Sequence, residues 1–231
     1  MPKSNAVITA YCGEHGKQLQ PLSLPGIRRY AEKCQADCVV FERPVFTGML
    51  DKMEFTRDAL SRYERVLWLD GDTLVRNDMP NLFSIVPSTH FASVNHCSYS
   101  NDDGLYVMHQ DIVRWCNHQR HPVPDMRNTI FCMGIYLVNK KHSFLFDPFE
   151  YHDEHPWVEQ SGINVRLAWS REVPTRVLPW CFSHFVYWPY AICRRIDESN
   201  YALHYAGPVS PEQRLADMTY QLKVWTEDGF A

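Results

Sequence analysis

No apolar run in these 231 residues approaches the roughly 18 positions that a membrane-spanning helix needs. The first ten residues carry one lysine and then strand-like sequence, which lacks the layout of a secretory signal. A cytoplasmic location is therefore the expectation, as is a single domain over residues 1–231. There is no excess of basic residues: 23 Lys and Arg stand against 27 Asp and Glu, for a net charge of −4. That balance argues against a nucleic-acid partner, whose phosphates call for a basic face. Repeats, low-complexity tracts and linkers are absent. The eight cysteines include no Cys-x-x-Cys pair, and Cys34 and Cys38, one helical turn apart, lack the further neighbours of a zinc site. They read mainly as small buried hydrophobes in a reducing compartment.

What is present is ordinary globular composition, 45% hydrophobic and 13% aromatic, which excludes intrinsic disorder. Ala6 to Tyr11 is a short β-branched run ending at Gly13, a buried strand. Ile27, Tyr30, Ala31 and Cys34 recur at helical spacing, placing a helix from about Pro25. Cys38 to Phe41 reads as a second strand, Lys52 to Arg62 as a helix with Met53, Leu60 and Tyr63 inward, and Arg65 to Leu69 as a third strand. Strand, helix, strand, helix, strand means an α/β fold, a mostly parallel central sheet with helices on both faces. Further on, His90–Asn95 and Ile130–Asn139 read as strands, Asn95–Gly104 as a polar loop, and Lys141–Phe149 and Trp157–Trp169 as helices. Arg176–Leu178 is extended and Tyr201–His204 is a late strand. The final helix opens with Ser210 as N-cap, Pro211 at its first position and Gln213 at its third.

The chemistry concentrates after the third strand, in Asp70-Gly71-Asp72-Thr73. Ligands of open α/β sheets bind beyond the carboxyl ends of the strands, where this pair falls. Two acids beside an apolar run repel each other and lose solvation, and a divalent cation relieves both costs. Oxygen ligands suit Mg²⁺ or Mn²⁺, ions that bridge readily to a diphosphate. An exposed Asp-Gly turn is the plainer alternative. Haloacid-dehalogenase phosphatases share an Asp-x-Asp, but their threonine falls one place later than Thr73 and their motif sits on the first strand.

The segment resembles the Asp-x-Asp signature of GT-A glycosyltransferases. Three more stretches, in the same order, are similar to the glycogenin-like and galactosyltransferase-like family 8: Phe131 to Asn139, Glu159-Gln160-Ser161-Gly162-Ile163-Asn164, and His204-Tyr205-Ala206-Gly207. The chain departs from that pattern at Cys132, where the family has Asn, at Ser161 in place of an acid, and at Ser210 in place of Lys.

The resemblance implies a Rossmann-like GT-A fold and a metal-dependent glycosyltransferase. Such an enzyme would move a sugar from a nucleotide-sugar donor, UDP-linked, to a glycan or lipid-linked acceptor, with retention of configuration. It implies Asp72 and His204 as ligands of Mn²⁺ or Mg²⁺, and Asp70 as a ligand or a ribose contact. Gln160 would lie beneath the anomeric carbon and Glu159 on sugar hydroxyls. Ala10 and Tyr11 would hold the base, Lys52 a phosphate or sugar, with Gly134 and Gly207 lining the donor site. Tyr11 fits plain core packing equally well, Lys52 a solvated surface, and His204 a core histidine. A sugar nucleotidyltransferase and a non-catalytic carbohydrate-binding module remain open. In the module, Trp157, Trp169, Trp180, Trp188 and Tyr190 would line a groove. Trp180 to Arg195 reads first as core packing; the other readings are a wall of an acceptor site or, through Arg194 and Arg195, a surface that touches a membrane.

Overall fold

The computed structural model describes residues 4–44, 50–126, 129–149, 157–170, 172–192 and 196–231. The chain opens with β1 (Asn5–Ala10), α1 (Gly13–Lys33), β2 (Asp37–Phe41), α2 (Asp51–Arg62) and β3 (Arg65–Leu69). β1 pairs in parallel with both β2 and β3, as the alternation of strand and helix requires. Beyond them come β4 (Thr73–Val75), α3 (Leu82–Ile85), β5 (Phe91–Asn95), α4 (Asp102–His118) and β6 (Phe131–Asn139). The chain ends with α5 (Val158–Trp169), β7 (Thr175–Leu178), β8 (His184–Phe185), β9 (Ala202–His204) and α6 (Pro211–Glu227).

The main sheet has the order β2-β1-β3-β6-β5-β7. Its strands run parallel except β6, which is antiparallel to both neighbours. Period-two alternation decides what each face buries. On β3, Leu67 and Leu69 face a cluster with Ile27 and Tyr30 of α1, whereas Val66 and Trp68 face Met53, Ala59 and Leu60 of α2. Every residue of β3 is buried, which accounts for its unbroken apolar run.

Three expectations shift. The first helix begins at Gly13, well before Pro25, and carries Pro21 and Pro25 inside it. Each proline removes one backbone donor, but Leu19, Ser23 and Leu24 are buried on this stretch, and tertiary packing outweighs the local penalty. The polar stretch after Asn95 is a 3₁₀ turn (His96–Ser98) followed by α4, whose N-cap Asn101 accepts from the Gly104 amide at 3.0 Å. The polar residues there are caps: they mark a helix start, and Met108, Ile112, Trp115 and Cys116 bury its inner face. The segment after β6 is a 3₁₀ stretch ending at Phe146. At α6 the Ser210 hydroxyl accepts from the Gln213 amide at 3.2 Å, while the Gln213 side chain turns to Asp217.

β4, β9 and β8 form a second, small sheet. β4 pairs antiparallel with β9, Thr73 opposite His204. This ladder brings the end of the chain to the end of β3. Among the described residues no helix is long and apolar enough to cross a membrane. Arg194 and Arg195 lie outside the described residues, as does Cys193; no disulfide is found among the described cysteines.

Candidate metal and donor site

The site is assembled by backbone pairing at the carboxyl end of β3. The Asp70 amide donates to the Gly134 carbonyl of β6 at 2.9 Å, and the Thr73 amide to Asp70 at 3.0 Å, which closes the Gly71-Asp72 turn. The Tyr205 amide donates to the Asp72 carbonyl at 3.0 Å, fixing β9 alongside. His204 Nε2 then lies 3.2 Å from Asp70 Oδ2 and 3.2 Å from Asp72 Oδ1. The imidazole has the Gly134 backbone on one side: a Cβ built there would fall 2.1 Å from His204 Cε1. The Phe185 ring is 4.7 Å away, centroid to centroid. Gly134 is thus required by close approach of the ring, and no larger residue leaves it room.

Asp70 is held on its other side. Trp68, two residues earlier on the same face of β3, donates its indole N–H to Asp70 Oδ1 at 2.6 Å. Lys52 of α2 places Nζ 2.9 Å from Asp70 Oδ1, 3.4 Å from Glu159 Oε1 and 3.0 Å from the Met133 carbonyl. Burial disfavours the Lys52 ammonium, but the charges of Asp70 and Glu159 outweigh it and hold its pKa above the ordinary lysine value. Burial pushes Asp70 up; the Lys52 charge and contact with His204 overcome that and hold the carboxyl below the usual range. For Glu159 burial wins, and its pKa is raised in spite of Lys52. Burial lowers the His204 pKa, but the Asp72 and Asp70 carboxylates more than offset that and raise it above the ordinary histidine value. Cys132 sits against this cluster. Burial alone would raise its thiol, yet the neighbouring His204 and His96 imidazoles bring it down to about 6.

Asp70, Asp72 and His204 could hold a metal ion: one donor atom from each lies within 4.8 Å of the others. Both ring nitrogens of His204 are buried without an aligned hydrogen-bond partner, and Glu159 Oε2 is likewise unpaired. Buried polar atoms left so are costly unless something else satisfies them. Two carboxylates and an imidazole are a donor set that a divalent cation fits.

These residues open onto a cleft of about 540 Å³. Eight of the residues singled out in the sequence line it: Lys52, Asp70, Asp72, Gly134, Glu159, Gln160, His204 and Gly207. Gln160 Oε1 accepts from the Met133 amide at 3.2 Å, which fixes its carboxamide at the cleft floor. Gly207 has φ +135°, and Tyr187 presses on its α-carbon, so only glycine fits that turn. Ala10 and Tyr11 do not line the cleft. Tyr11 is 1% exposed, its hydroxyl 2.8 Å from Ser23 Oγ, and burial raises the phenol to about 12. That environment fits the packing alternative; stacking on a base would need an uncovered ring. Of the tryptophans weighed for a sugar groove, Trp157 and Trp188 line the cleft with Tyr190, whereas Trp169 and Trp180 do not. The sequence reading missed Arg214 and His96, which also line it. Neither belongs to a motif, and only the packing of α6 and of the turn after β5 brings them there.

No protein-family model and no curated protein sequence matches the chain. Solved structures do. It is similar to a glycosyltransferase involved in the glycosylation of the major capsid of PBCV-1, at 13% identity and TM-score 0.62, over 94% of this chain and 100% of that one. It is similar to the bifunctional glycosyltransferase WbbM at 14% identity and TM-score 0.57, over 98% of this chain and 52% of that one. The glycosyltransferase GlyE of Streptococcus pneumoniae TIGR4 matches at 15% identity and TM-score 0.54, over 97% and 64%. The fold is that of the GT-A glycosyltransferases; family 8 in particular is not distinguished from other GT-A groups.

Proposed function

We propose that the chain is a single catalytic domain that transfers a sugar from a nucleotide-diphosphate donor, UDP-linked, to a glycan or glycolipid hydroxyl. The observation that carries this reading is the convergence of Asp70, Asp72 and His204, from distant parts of the chain, at the mouth of one cleft in a GT-A fold. A carbohydrate-binding module has no need of two carboxylates and a histidine drawn together at the cost of burial.

In this reading the bond between the anomeric carbon and the diphosphate oxygen breaks, and one to an acceptor oxygen forms as that hydroxyl gives up its proton to the departing diphosphate. Asp70, Asp72 and His204 would hold Mn²⁺ or Mg²⁺, whose chemistry there is to offset negative charge on the departing diphosphate. Lys52 neutralises Asp70 and Glu159 and keeps both carboxylates aimed into the cleft. Glu159, with one oxygen unpaired, binds sugar hydroxyls. Gln160, fixed through Met133, lies beneath the anomeric carbon, the arrangement expected of a retaining enzyme. Trp157, Trp188 and Tyr190 form an aromatic wall, with ring centroids 6.0 Å and 5.2 Å apart, on which an acceptor sugar can stack.

The test is a thermal-shift panel of nucleotide diphosphates and nucleotide sugars, with and without Mn²⁺, on the wild type and Asp72→Asn. A ligand at 100 times its Kd stabilises by about 2.7 kcal/mol, readily visible in Tm. Metal-dependent stabilisation by a uridine nucleotide, lost in Asp72→Asn, is expected. A wild type that ignores every nucleotide but responds to free glycans would overturn the reading in favour of a lectin.

A further inference from the structure

Among the described residues two permanently cationic side chains line the cleft, and they are in opposite states. Lys52 is consumed: its three ammonium protons face Asp70 at 2.9 Å, the Met133 carbonyl at 3.0 Å and Glu159 at 3.4 Å. Arg214 is not. Its Nη1 lies 3.5 Å from Asp72 Oδ2 and 3.4 Å from His15 Nε2, and its Nη2 3.2 Å from the Gly207 carbonyl. Its Nε is buried without a partner. The Gly207 carbonyl accepts an ordinary hydrogen bond, but charge-assisted contacts to a carboxylate run about 2.7–2.9 Å, so the Asp72 contact is a loose one and the Nε–H is left without a partner.

Local physics gives no other reason for this arginine. It falls just beyond Gln213, in the opening turns of α6, where the helix dipole disfavours a cation. Its side chain is only 17% exposed, so it also forgoes hydration. A residue that breaks the local rule and is poorly paired by the protein is one whose partner comes from outside. The partner's chemistry follows from the neighbours. It must be an anion that lies beside Asp72 in the cleft and offers a pair of accepting oxygens to the planar guanidinium fork, which a phosphate of a diphosphate does.

We propose that Arg214 binds the donor diphosphate, gripping a pair of phosphate oxygens beside Asp72. This rests on the donor-site reading above. Arg214 would act in substrate binding and leaving-group stabilisation, a task that the motif segments leave unassigned, since Lys52 is neutralised and Ser210 carries no charge.

The probe is inorganic pyrophosphate with Mg²⁺, followed by calorimetry on the wild type, Arg214→Gln and Arg214→Lys. The wild type should bind it, Arg214→Gln about tenfold or more weakly, and Arg214→Lys should recover part of the loss. Equal affinity for the wild type and a folded Arg214→Gln overturns the role of Arg214 and leaves the donor site standing. A wild type that binds neither pyrophosphate nor any nucleotide diphosphate overturns both. Should Arg214→Gln fail to fold, the Nε–H resonance of Arg214 decides, assigned by its disappearance in Arg214→Lys. A shift of that signal on adding pyrophosphate supports the contact, and a fixed signal amid shifting neighbours refutes it.

Discussion

Gly134 shows how a single position can set a site without carrying any chemistry. The His204 ring occupies the space that any β-carbon at 134 would take. Gly134→Ala therefore has to push the imidazole away from Asp70 and Asp72. The expected cost is about 1–3 kcal/mol of overpacking, together with loss of metal-dependent nucleotide stabilisation. Thermal unfolding with and without Mn²⁺ and UDP measures both, and an intact nucleotide response would show that His204 is dispensable. The sequence offered Gly134 only as part of a motif. Its physical reason, a ring from β9 lying against it, depends on a strand far away in the chain.

At the scale of elements, β3 and α6 make a contrast. β3 was legible to the residue because both of its faces are buried and its apolar run is continuous. The start of α6 was legible because capping is local chemistry: Ser210 accepts from Gln213 and Pro211 needs no donor. Ser210→Ala is expected to cost about 1 kcal/mol, which for a chain of this size lowers Tm by about 2–4 °C. A melting temperature unmoved by the change would mean that packing of Met218 and Trp225 alone fixes the helix. The elements that were misread failed for the opposite reason. Pro21 and Pro25 argue against helix locally, and burial of Leu19 and Leu24 overrules them. The capping residues before α4 imitate a loop until the inner face of that helix is seen against its neighbours.

For the whole molecule, the cleft is a place where stability has been given up. Glu159 is 4% exposed, its pKa is raised by burial, and one of its oxygens has no partner. A buried charge of this kind costs folding free energy, and Lys52 would keep Asp70 at 2.9 Å without it. Glu159→Gln should therefore hold or raise the global Tm while abolishing sugar transfer. The pairing of those two outcomes marks a functional residue. A Tm lowered by several degrees would instead make Glu159 a structural partner of Lys52.

The sequence by itself determined the strand-helix alternation, hence a parallel-type sheet, and placed two carboxylates at the carboxyl end of its third strand, because these are matters of period, burial and local order. It also named most of the residues that line the cleft. Only the tertiary structure decided that β6 runs antiparallel, that β4 zips onto β9 and so delivers His204, and that Tyr11 packs inward. It alone decided that Lys52 is spent on its neighbours and that Arg214 stands beside Asp72 with its Nε–H unpartnered. Strand pairing, ion pairing and burial join residues with no fixed spacing in sequence, so no pattern along the chain could have announced them.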